Sequence, residues 1–470
     1  MNDDALFFQP IRALAKLLRR RELSSLELTL ATLKRLEALG PRYNAVAQLT
    51  ADAAEAQARR ADRLLRRGGA SLLCGIPYGA KDLVATAGIS TRWGAPPYRD
   101  QVFDFDATVI ERLRETGAVL VAKLSMIELA GAGGYQFASA SLDGPCRNPW
   151  NTNYWSGGSS SGSGAAVAAG LIPFALGSET GGSIVIPAAF CGISGLRPSY
   201  GLVSRFGVMP VSWSMDKIGT LARTAEDCGL VLAAISGPDK RDPVTVEPNR
   251  RLARRAGPDL RIGVLRNDLT GIGDTDGRTP GLMAVQHAFD EALGVFRRVG
   301  ARLRRIELPQ HDYREIYRAL LFGEAGAAHE ALISSARLGE LVDEFQRQGL
   351  VTYLQQPAFT YVRAVERRVA ATRDLRDVFD QVDVLVAPTW LSEAPSLETD
   401  LRTWHRGGHY AVLGAVAGLP GISIPIGFGP TGLPLGLTIT GDLFADSRVL
   451  HVAALFQRNS DWHRRRPPNP

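Results

Sequence analysis

Glycine and serine are concentrated in two short loops, and apolar residues follow both of them. The first loop is GGSSSGSG at 157–164, and the second contains Gly181 and Gly182 immediately before Ser183. A run of this composition is usually a flexible linker, but AAVAAG and LIPFALG follow the first loop and predict a buried helix and a buried strand. Clustered glycines also let several backbone N–H groups point into one cavity, where they hold an anion. We therefore interpret the two loops as parts of an anion-binding site.

Two kinds of anion fit such loops, a bound phosphate and the oxyanion of a reaction intermediate. The Walker phosphate pattern requires a lysine that GSGAA lacks, and G-x-G-x-x-G requires a preceding strand that NPWNTNYW does not predict. A tetrahedral oxyanion needs the same clustered donors together with a nucleophile. Residues 158–162 spell G-x-S-x-G, the nucleophile-elbow pattern, with Ser160 as nucleophile and His405, His409 or His451 as base. WNTNYWS does not predict the strand that an elbow requires, so this Ser-His esterase is kept as an alternative.

Lys81 is the candidate base for a mechanism that does not use histidine. It lies in CGIPYGAKDLVATAGI at 74–89, among apolar residues and glycines. A lysine in such a segment either extends to solvent or becomes desolvated, which lowers its pKa and allows it to act as a general base. A surface position or an ion pair with Asp82 is the structural alternative. Together with the two loops, Lys81 predicts a proton relay of one lysine and two serines.

The three segments together resemble the amidase signature family. In that family a lysine in G-x-P-x-x-x-K-D precedes a Gly-Gly-Ser-Ser loop and a T-G-G-S-I segment. Here these are GIPYGAKDL (75–83), GGSSSGSG (157–164) and GSETGGSIVIPAAFCG (177–192). The resemblance covers about residues 70 to 230 and returns at 417–441, whereas residues 300–380 match poorly.

This resemblance implies a role for each motif residue. Lys81 is the base, Ser159 is the bridging serine after a cis peptide bond, and Ser183 is the nucleophile that forms an acyl-enzyme. The oxyanion hole is built from backbone N–H groups of Thr180, Gly181, Gly182 and Ser183. The reaction is hydrolysis of a C–N bond, with no metal and no cofactor.

The residues after Ser183 indicate the charge of the substrate. Many family members carry an arginine two or three positions after the nucleophile, where it can pair with a substrate carboxylate, but here Val185 and Ile186 stand there. We therefore expect a neutral substrate, namely an apolar or aromatic amide, anilide or carbamate. The candidate pocket residues are Met126, Ala130, Tyr135 and Val185. Glu179 stands where the family often has aspartate, and the sequence does not explain that change.

The family also includes the A subunit of the tRNA-dependent glutamine amidotransferase, which works with partner subunits on glutamine and charged tRNA. That function would require a carboxylate-binding arginine and a segment that residues 313–380 do not resemble. The sequence favours a free-standing amide hydrolase whose partner is a small-molecule substrate. A homodimer is compatible with this interpretation, and the amidotransferase role is kept as an alternative.

Strands alternate with helices along the chain and predict an α/β fold with α/β/α layers around a mixed, largely parallel sheet. Strand-like runs lie at 118–124, 171–177, 261–265, 383–389, 422–428 and 435–441, and helical patterns include 107–117 and 283–300. Ser24 and Glu27 match a capping box ahead of a helix that we expect to stop at Gly40-Pro41.

We interpret residues 1–470 as a single amidase domain. It comprises a helical part at 1–70, a signature core at about 70–230 and a C-terminal part of the same sheet at 260–460. Residues 236–259 are polar and contain prolines, and we expect them to form a surface crossing.

Composition and charge exclude several classes of protein. The 470 residues are 45% hydrophobic and 22% charged, as is typical of a globular protein. No charged signal sequence and no run of about 18 apolar residues is present, so a cytoplasmic location without membrane contact is expected. The net charge of +6 comes from arginines spread along helical patterns, which does not favour nucleic-acid binding. Cys74, Cys146, Cys191 and Cys228 are far apart, which predicts reduced, mostly buried thiols.

Overall fold

The computed structural model describes residues 3–248, 259–265, 280–404 and 410–468. The strands within these ranges are β1 (Val46–Leu49), β2 (Pro77–Lys81), β3 (Val119–Leu124), β4 (Arg147–Asn148), β5 (Asn151–Trp155), β6 (Phe174–Glu179), β7 (Ser194–Arg197), β8 (Lys217–Ala222), β9 (Arg261–Val264), β10 (Arg302–Arg305), β11 (Val384–Pro388), β12 (Gly421–Phe428) and β13 (Pro434–Thr440). The helices are α1 (Asp3–Leu6), α2 (Ile11–Arg20), α3 (Ser25–Tyr43), α4 (Ala51–Arg67), α5 (Thr108–Thr116), α6 (Ser161–Ala168), α7 (Val185–Cys191), α8 (Ala225–Ile235), α9 (Pro280–Arg298), α10 (Tyr313–Ala328), α11 (Glu330–Ile333), α12 (Glu344–Leu354), α13 (Ala358–Gln381), α14 (Tyr410–Val416) and α15 (Asp446–Arg458). The predicted α/β fold is confirmed.

Within the described ranges, eleven strands form one mixed sheet in the order β1-β3-β2-β6-β8-β7-β12-β13-β11-β9-β10. The strands β3, β2 and β6 are parallel to one another, and so are β11, β9 and β10. The strands between these two groups pair antiparallel, as does the edge strand β1. The sheet is therefore mixed, as predicted, with parallel groups on either side of an antiparallel centre.

Helices cover both faces of this sheet, and the side chains of β3 show how. Val119 and Val121 pack with α3, α4 and α6 in one apolar cluster, whereas Leu120 packs with α5, α8, α9 and α15 in another. Successive side chains of a strand point to opposite faces of its sheet. The predicted α/β/α layers are thus built from strands that are buried on both faces.

Two neighbouring parallel strands carry polar residues at their ends. β2 ends at Lys81 and its hydrogen-bonded neighbour β6 ends at Glu179. Because the two strands are parallel, both ends lie at the same edge of the sheet. α6 starts at Ser161, inside the first Gly/Ser loop, and α7 starts at Val185, two residues after Ser183. The fold therefore brings both loops to the edge at which β2 ends.

Some local predictions are wrong. The helix that was expected to stop at Gly40-Pro41 continues to Tyr43 and ends at Asn44, whose left-handed backbone closes the last turn. Pro41 is tolerated because it removes only one hydrogen bond near the end of the helix. The capping box of Ser24 and Glu27 is confirmed.

The segment WNTNYWS was also misjudged, since Asn151–Trp155 forms β5. Its threonine, tyrosine and tryptophan favour extended backbone. β5 pairs with β4 in a separate two-stranded sheet. It therefore lies outside the central sheet. The strand before a nucleophile elbow belongs to the central sheet, so β5 does not fit that pattern.

Strands from both sides of residues 236–259 lie in one sheet, since β7 pairs with β12. The crossing therefore does not divide the sheet, although its residues 249–258 lie outside the described ranges. The single-domain organisation stays a prediction. All four cysteines are free and buried, as expected. In the described part of the chain, no helix is both long and apolar enough to cross a membrane.

Candidate active site

Lys81 is the buried amine at the centre of the site. Its side chain is 0% exposed, and its Nζ atom donates to Oγ of Ser159 at 2.7 Å and to Oγ of Ser178 at 2.9 Å. Burial lowers the pKa of Lys81 from 10.5 to about 7, although the carboxylates of Asp216 and Glu179 act to raise it. A substantial fraction of Lys81 is therefore neutral near pH 7 and can accept a proton.

The ion pair between Lys81 and Asp82 that the sequence allows is not formed. Asp82 pairs instead with Arg92 at 3.1 Å and lies 3.9 Å from Nζ of Lys123. Lys123 is also buried, and it donates to the carbonyl oxygen of Val84 and to the hydroxyls of Thr86 and Thr91. Lys123 thus has a carbonyl acceptor and a nearby carboxylate, whereas among the described residues Lys81 donates to two serine hydroxyls alone.

Ser159 and Ser183 come from the two Gly/Ser loops. The peptide bond from Gly158 to Ser159 is cis. Ser159 is fully buried and Ser183 is half-buried. The backbone N–H of Ser160 donates to the carbonyl oxygen of Ser183 at 3.3 Å, which holds the two loops together. Within the described ranges no hydrogen bond joins the hydroxyls of Ser159 and Ser183, so the structure shows the Lys81–Ser159 contact and places Ser183 beside it.

The loop that ends at Ser183 has backbone N–H groups that are available as hydrogen-bond donors. The N–H groups of Gly181, Gly182 and Ser183 donate to no acceptor among the described residues. The hydroxyl of Thr180 donates to the Asp216 carboxylate at 2.6 Å, which fixes the start of the loop. This arrangement leaves clustered N–H groups for a developing oxyanion, and their role there stays a prediction.

Glu179, whose identity the sequence did not explain, holds the end of the same loop after Ser183. One carboxylate oxygen accepts from the N–H groups of Ile184 and Val185 at 2.8 and 3.0 Å. The other oxygen accepts from Arg197 at 2.7 Å, and both side chains are 0% exposed. Burial raises the pKa of Glu179, but Arg197 and the two amides more than offset it and hold that pKa below its ordinary value. Glu179 is therefore ionised, and its carboxylate fixes the backbone of the residues that follow Ser183.

A cavity of about 540 Å³ opens beside the lysine end of the site. Ser178 and Thr180 line it, and Ser178 is the second hydrogen-bond partner of Lys81. The other lining residues include Arg205, Phe206, Met209, Trp213, Asp216 and Glu324. The cavity thus places a space of ligand size next to Ser178, a residue that sequence reasoning did not select.

The four predicted pocket residues differ in exposure. Met126 and Val185 are buried, at 0% and 1% exposed, whereas Ala130 and Tyr135 are partly exposed. Tyr135 lies edge-on to Trp155, with 5.9 Å between ring centroids. Of the four, Ala130 and Tyr135 are thus the two that solvent reaches, and the role of all four in substrate binding stays a prediction.

Tyr317 is a further residue near the nucleophile that sequence reasoning missed. A Cβ atom at Gly181 would lie 2.5 Å from the Tyr317 hydroxyl oxygen, so this tyrosine packs directly on the Ser183 loop. It lies on α10, outside the segments that carry the sequence motifs. Its distance along the chain leaves no local signal that could have found it.

The esterase alternative gains no support from the position of Ser160. Its hydroxyl is fully buried, donates to the carbonyl oxygen of Ser178 at 3.2 Å and accepts from the N–H of Ser178 at 3.3 Å. These bonds connect the start of α6 to β6. His405 and His409 lie outside the described residues, and His451 lies on α15.

A mixed sheet flanked by helices, with a buried lysine hydrogen-bonded to a loop serine beside a Thr-Gly-Gly-Ser loop, defines the class of enzymes that act on C–N bonds through serine. The family model "Amidase" matches residues 27–450. The chain belongs to the Amidase family.

Individual relatives resemble the chain over almost its whole length. The A subunit of glutamyl-tRNA(Gln) amidotransferase from Methylococcus capsulatus is 39% identical over 488 residues, which cover 97% of each chain. The solved structure of peptide amidase from Stenotrophomonas maltophilia has a TM-score of 0.84 at 32% identity and covers 98% of each chain. The solved structure of the A subunit of glutamyl-tRNA(Gln) amidotransferase from Thermotoga maritima has a TM-score of 0.78 at 28% identity, over 97% of this chain and 95% of that one.

Proposed function

We propose that this protein cleaves the C–N bond of a carboxamide through an acyl-enzyme on Ser183. The observation that carries the proposal is the 2.7 Å contact between the buried Lys81 amine and Ser159, directly beside the Ser183 loop. Neutral Lys81 takes the proton of the Ser159 hydroxyl as Ser159 takes the proton of Ser183. The Ser183 oxygen then bonds to the substrate carbonyl carbon, and backbone N–H groups of the loop stabilise the oxyanion.

The second half of the reaction uses the same groups in reverse. As the C–N bond breaks, Ser159 gives its proton to the departing nitrogen and regains one from Lys81. Water then gives a proton to the relay and attacks the ester carbonyl carbon on Ser183; as the C–O bond to Ser183 breaks, the relay returns that proton to the Ser183 oxygen and the acid is released. Atoms and charges balance within the chain, the amide and one water molecule.

Replacement of the nucleophile tests this proposal directly. We expect Ser183→Ala to lose more than about a thousandfold in kcat on a chromogenic anilide, because no other group forms the acyl-enzyme. Mass spectrometry of the acid-quenched parent should show an adduct of one acyl group on the peptide with Ser183. The control is Ser160→Ala, which should keep the adduct. A folded Ser183→Ala protein with activity within tenfold of the parent would refute the assignment.

For the substrate we propose a neutral, apolar or aromatic amide, anilide or carbamate. The residues that follow Ser183 at the start of α7 are apolar, and the nearby Arg197 is paired with the buried Glu179. A substrate carboxylate placed there would be a buried charge without a partner, which costs several kcal/mol. In this role the small-molecule substrate needs no partner protein, and a cytoplasmic location is part of the proposal.

The second candidate function is that of the A subunit of an amidotransferase. Its support is the 39% identity over 97% of both chains with a protein of that name, and the curated relatives favour it over a free-standing amidase. The higher TM-score to the peptide amidase, 0.84 against 0.78, supports a free-standing enzyme instead. In the amidotransferase role the chain would take nitrogen from an amide donor and would work with protein partners. Both roles share the acyl-enzyme step, so the choice between them depends on the donor.

A further inference from the structure

Five aromatic side chains form a continuous wall next to the two catalytic loops. We call the set the aromatic wall, and it consists of Tyr135, Trp155, Phe190, Trp390 and Trp404. Consecutive ring centroids are 5.9 Å apart for Tyr135–Trp155, 6.4 Å for Trp155–Phe190, 6.2 Å for Phe190–Trp390 and 5.5 Å for Trp390–Trp404. These separations lie in the range at which aromatic rings attract one another. The wall therefore joins residues from five separate parts of the chain.

The wall touches the backbone before Ser159, and an apolar neighbour of the wall touches the backbone before Ser183. A Cβ atom at Gly158, the residue before Ser159, would lie 2.6 Å from Cζ2 of Trp155. Ile186 packs in the same apolar cluster as the wall. A Cβ atom at Gly182 would lie 2.6 Å from Cδ1 of Ile186, so Ile186 touches the residue before the nucleophile. One end of the wall therefore abuts the bridging serine, and its cluster abuts the residue before the nucleophile.

Several members of the wall are not ordinary core residues. Tyr135, Trp390 and Trp404 are only partly buried. The indole N–H groups of Trp155 and Trp390 are buried without a hydrogen-bond partner in the described part of the chain. Buried polar groups normally have partners, so such donors next to a catalytic loop are suited to an acceptor on a ligand. An apolar surface with a few convergent donors is the usual composition of a small-molecule site.

We propose that the aromatic wall binds an aromatic ring of the substrate and makes this protein selective for aryl-substituted amides. The inference rests on the proposed acyl-enzyme function and adds the residues that select the substrate. The ring of the substrate packs against the partly exposed side chains of Trp390 and Trp404, and Tyr135 forms the opposite end of the wall, beside Trp155. An indole N–H of the wall donates to a polar substituent of that ring.

The test compares aryl and alkyl amides of equal charge in matched variants. Trp390→Leu and Trp404→Leu shorten the wall, and Trp462→Leu is the control, since Trp462 is a partly buried tryptophan that contacts Phe428 outside the wall. We expect the parent to prefer phenylacetamide over butyramide. Each wall variant should lose about tenfold in kcat/KM on phenylacetamide and less than about threefold on butyramide. The Trp462→Leu control should leave kcat/KM unchanged on both phenylacetamide and butyramide.

A second substrate arm locates the ring relative to the scissile bond. Acetanilide carries its ring on the nitrogen, whereas phenylacetamide carries it on the acyl group. Loss on phenylacetamide alone assigns the wall to the acyl side, and loss on acetanilide alone assigns it to the amine side. Equal losses on aryl and alkyl substrates in both wall variants would overturn the proposal, and so would no loss on any of them.

Binding to the Ser183→Ala protein separates this proposal from the one it rests on. Calorimetry with phenylacetamide should show an affinity that Trp390→Leu weakens about tenfold in the same background. If activity depends on Ser183 while the wall variants bind and turn over aryl and alkyl amides alike, the wall proposal alone fails. If Ser183→Ala stays active, the acyl-enzyme mechanism itself fails.

Discussion

The groups around the amine distinguish Lys81 from its buried neighbour Lys123. Lys81 and Lys123 lie on adjacent strands and are both fully buried. Lys123 donates to the hydroxyls of Thr86 and Thr91, but it also has the Val84 carbonyl oxygen as an acceptor and the Asp82 carboxylate at 3.9 Å, and both of these favour its ammonium form. Lys81 donates to the hydroxyls of Ser159 and Ser178, and a hydroxyl can also donate in return. The surroundings of Lys81 therefore accommodate both protonation states, as a proton relay requires.

The pH dependence of activity follows from this environment. Lys81 must be neutral to act, and burial lowers its pKa to about 7, so kcat/KM should rise about tenfold per pH unit below 7 and reach a plateau above about pH 8. Initial rates on a neutral anilide between about pH 5 and 10 give the profile. A rise that ends only near pH 10, or activity that does not fall below pH 7, would contradict a neutral Lys81 as base.

The Ser178→Ala variant provides an internal check on the same profile. Without the Ser178 hydroxyl the ammonium form of Lys81 loses one hydrogen-bond acceptor, so its pKa falls and the rise should move to lower pH. The charged groups that act on Lys81 from neighbouring segments, Asp216 and Glu179, are unchanged in this variant. The plateau should also fall because Lys81 is oriented less well. A lower plateau with an unmoved rise would mean that Ser178 has only a structural role.

At the scale of elements, carboxylates bind the connection between β6 and α7 at both of its ends. Asp216 accepts from Thr180 at its start, and Glu179 accepts from Ile184 and Val185 after the nucleophile. The intervening N–H groups are thereby kept away from intramolecular acceptors. This arrangement costs the burial of the ion pair between Glu179 and Arg197, which is stable only while both partners are present.

Replacing one partner of that ion pair should damage both stability and activity. Glu179→Gln leaves the Arg197 charge buried without a counter-ion, so the free energy of unfolding should fall by about 3 kcal/mol or more. Urea unfolding measures that loss, and kcat/KM should fall because the loop loses its anchor. In the double variant Glu179→Gln/Arg197→Met, stability should recover in part while activity stays low. A single variant within about 0.5 kcal/mol of the parent would show that the pair does not hold the loop.

The elements also show where prediction from sequence succeeds and where it ends. The segments around Lys81, Ser159 and Ser183 could be selected from sequence because each keeps its motif within a few residues, and their catalytic roles stay predictions. Ser178 and Tyr317 were not found, since contacts across the sheet and from α10 created their proximity. α3 passes through Pro41 because tertiary packing and the Asn44 turn outweigh the local preference of proline. The presence of Glu179 where the family often has aspartate could be interpreted only once its hydrogen bond with Arg197 was known.

For the whole molecule, the sheet joins the two halves of the chain around one site. In the N-terminal half β2 supplies the base and β6 leads into the Ser183 loop, whereas β12 and β13 from the C-terminal half lie beyond β7 in the same sheet. The aromatic wall repeats this pattern, with Tyr135 and Trp155 from one half and Trp390 and Trp404 from the other. The family match over residues 27–450 spans both halves. The proposed substrate selection by the wall would therefore depend on both halves of the fold rather than on the signature segments alone.

The last prediction distinguishes the two proposed roles by the charge of the amide. Glutamine carries a carboxylate, and the start of α7 provides no cation for it while Arg197 is paired with Glu179. We therefore expect neutral amides to exceed glutamine by more than about tenfold in kcat/KM for the isolated chain, since an unpaired buried charge costs several kcal/mol. Ammonia release from glutamine, phenylacetamide and the phenylacetamide analogue with a ring carboxylate measures the difference, with Ser183→Ala as the blank. If glutamine outperforms every neutral amide, the neutral-substrate assignment is wrong, and the amidotransferase role indicated by the 39% identical relative becomes the function of this chain.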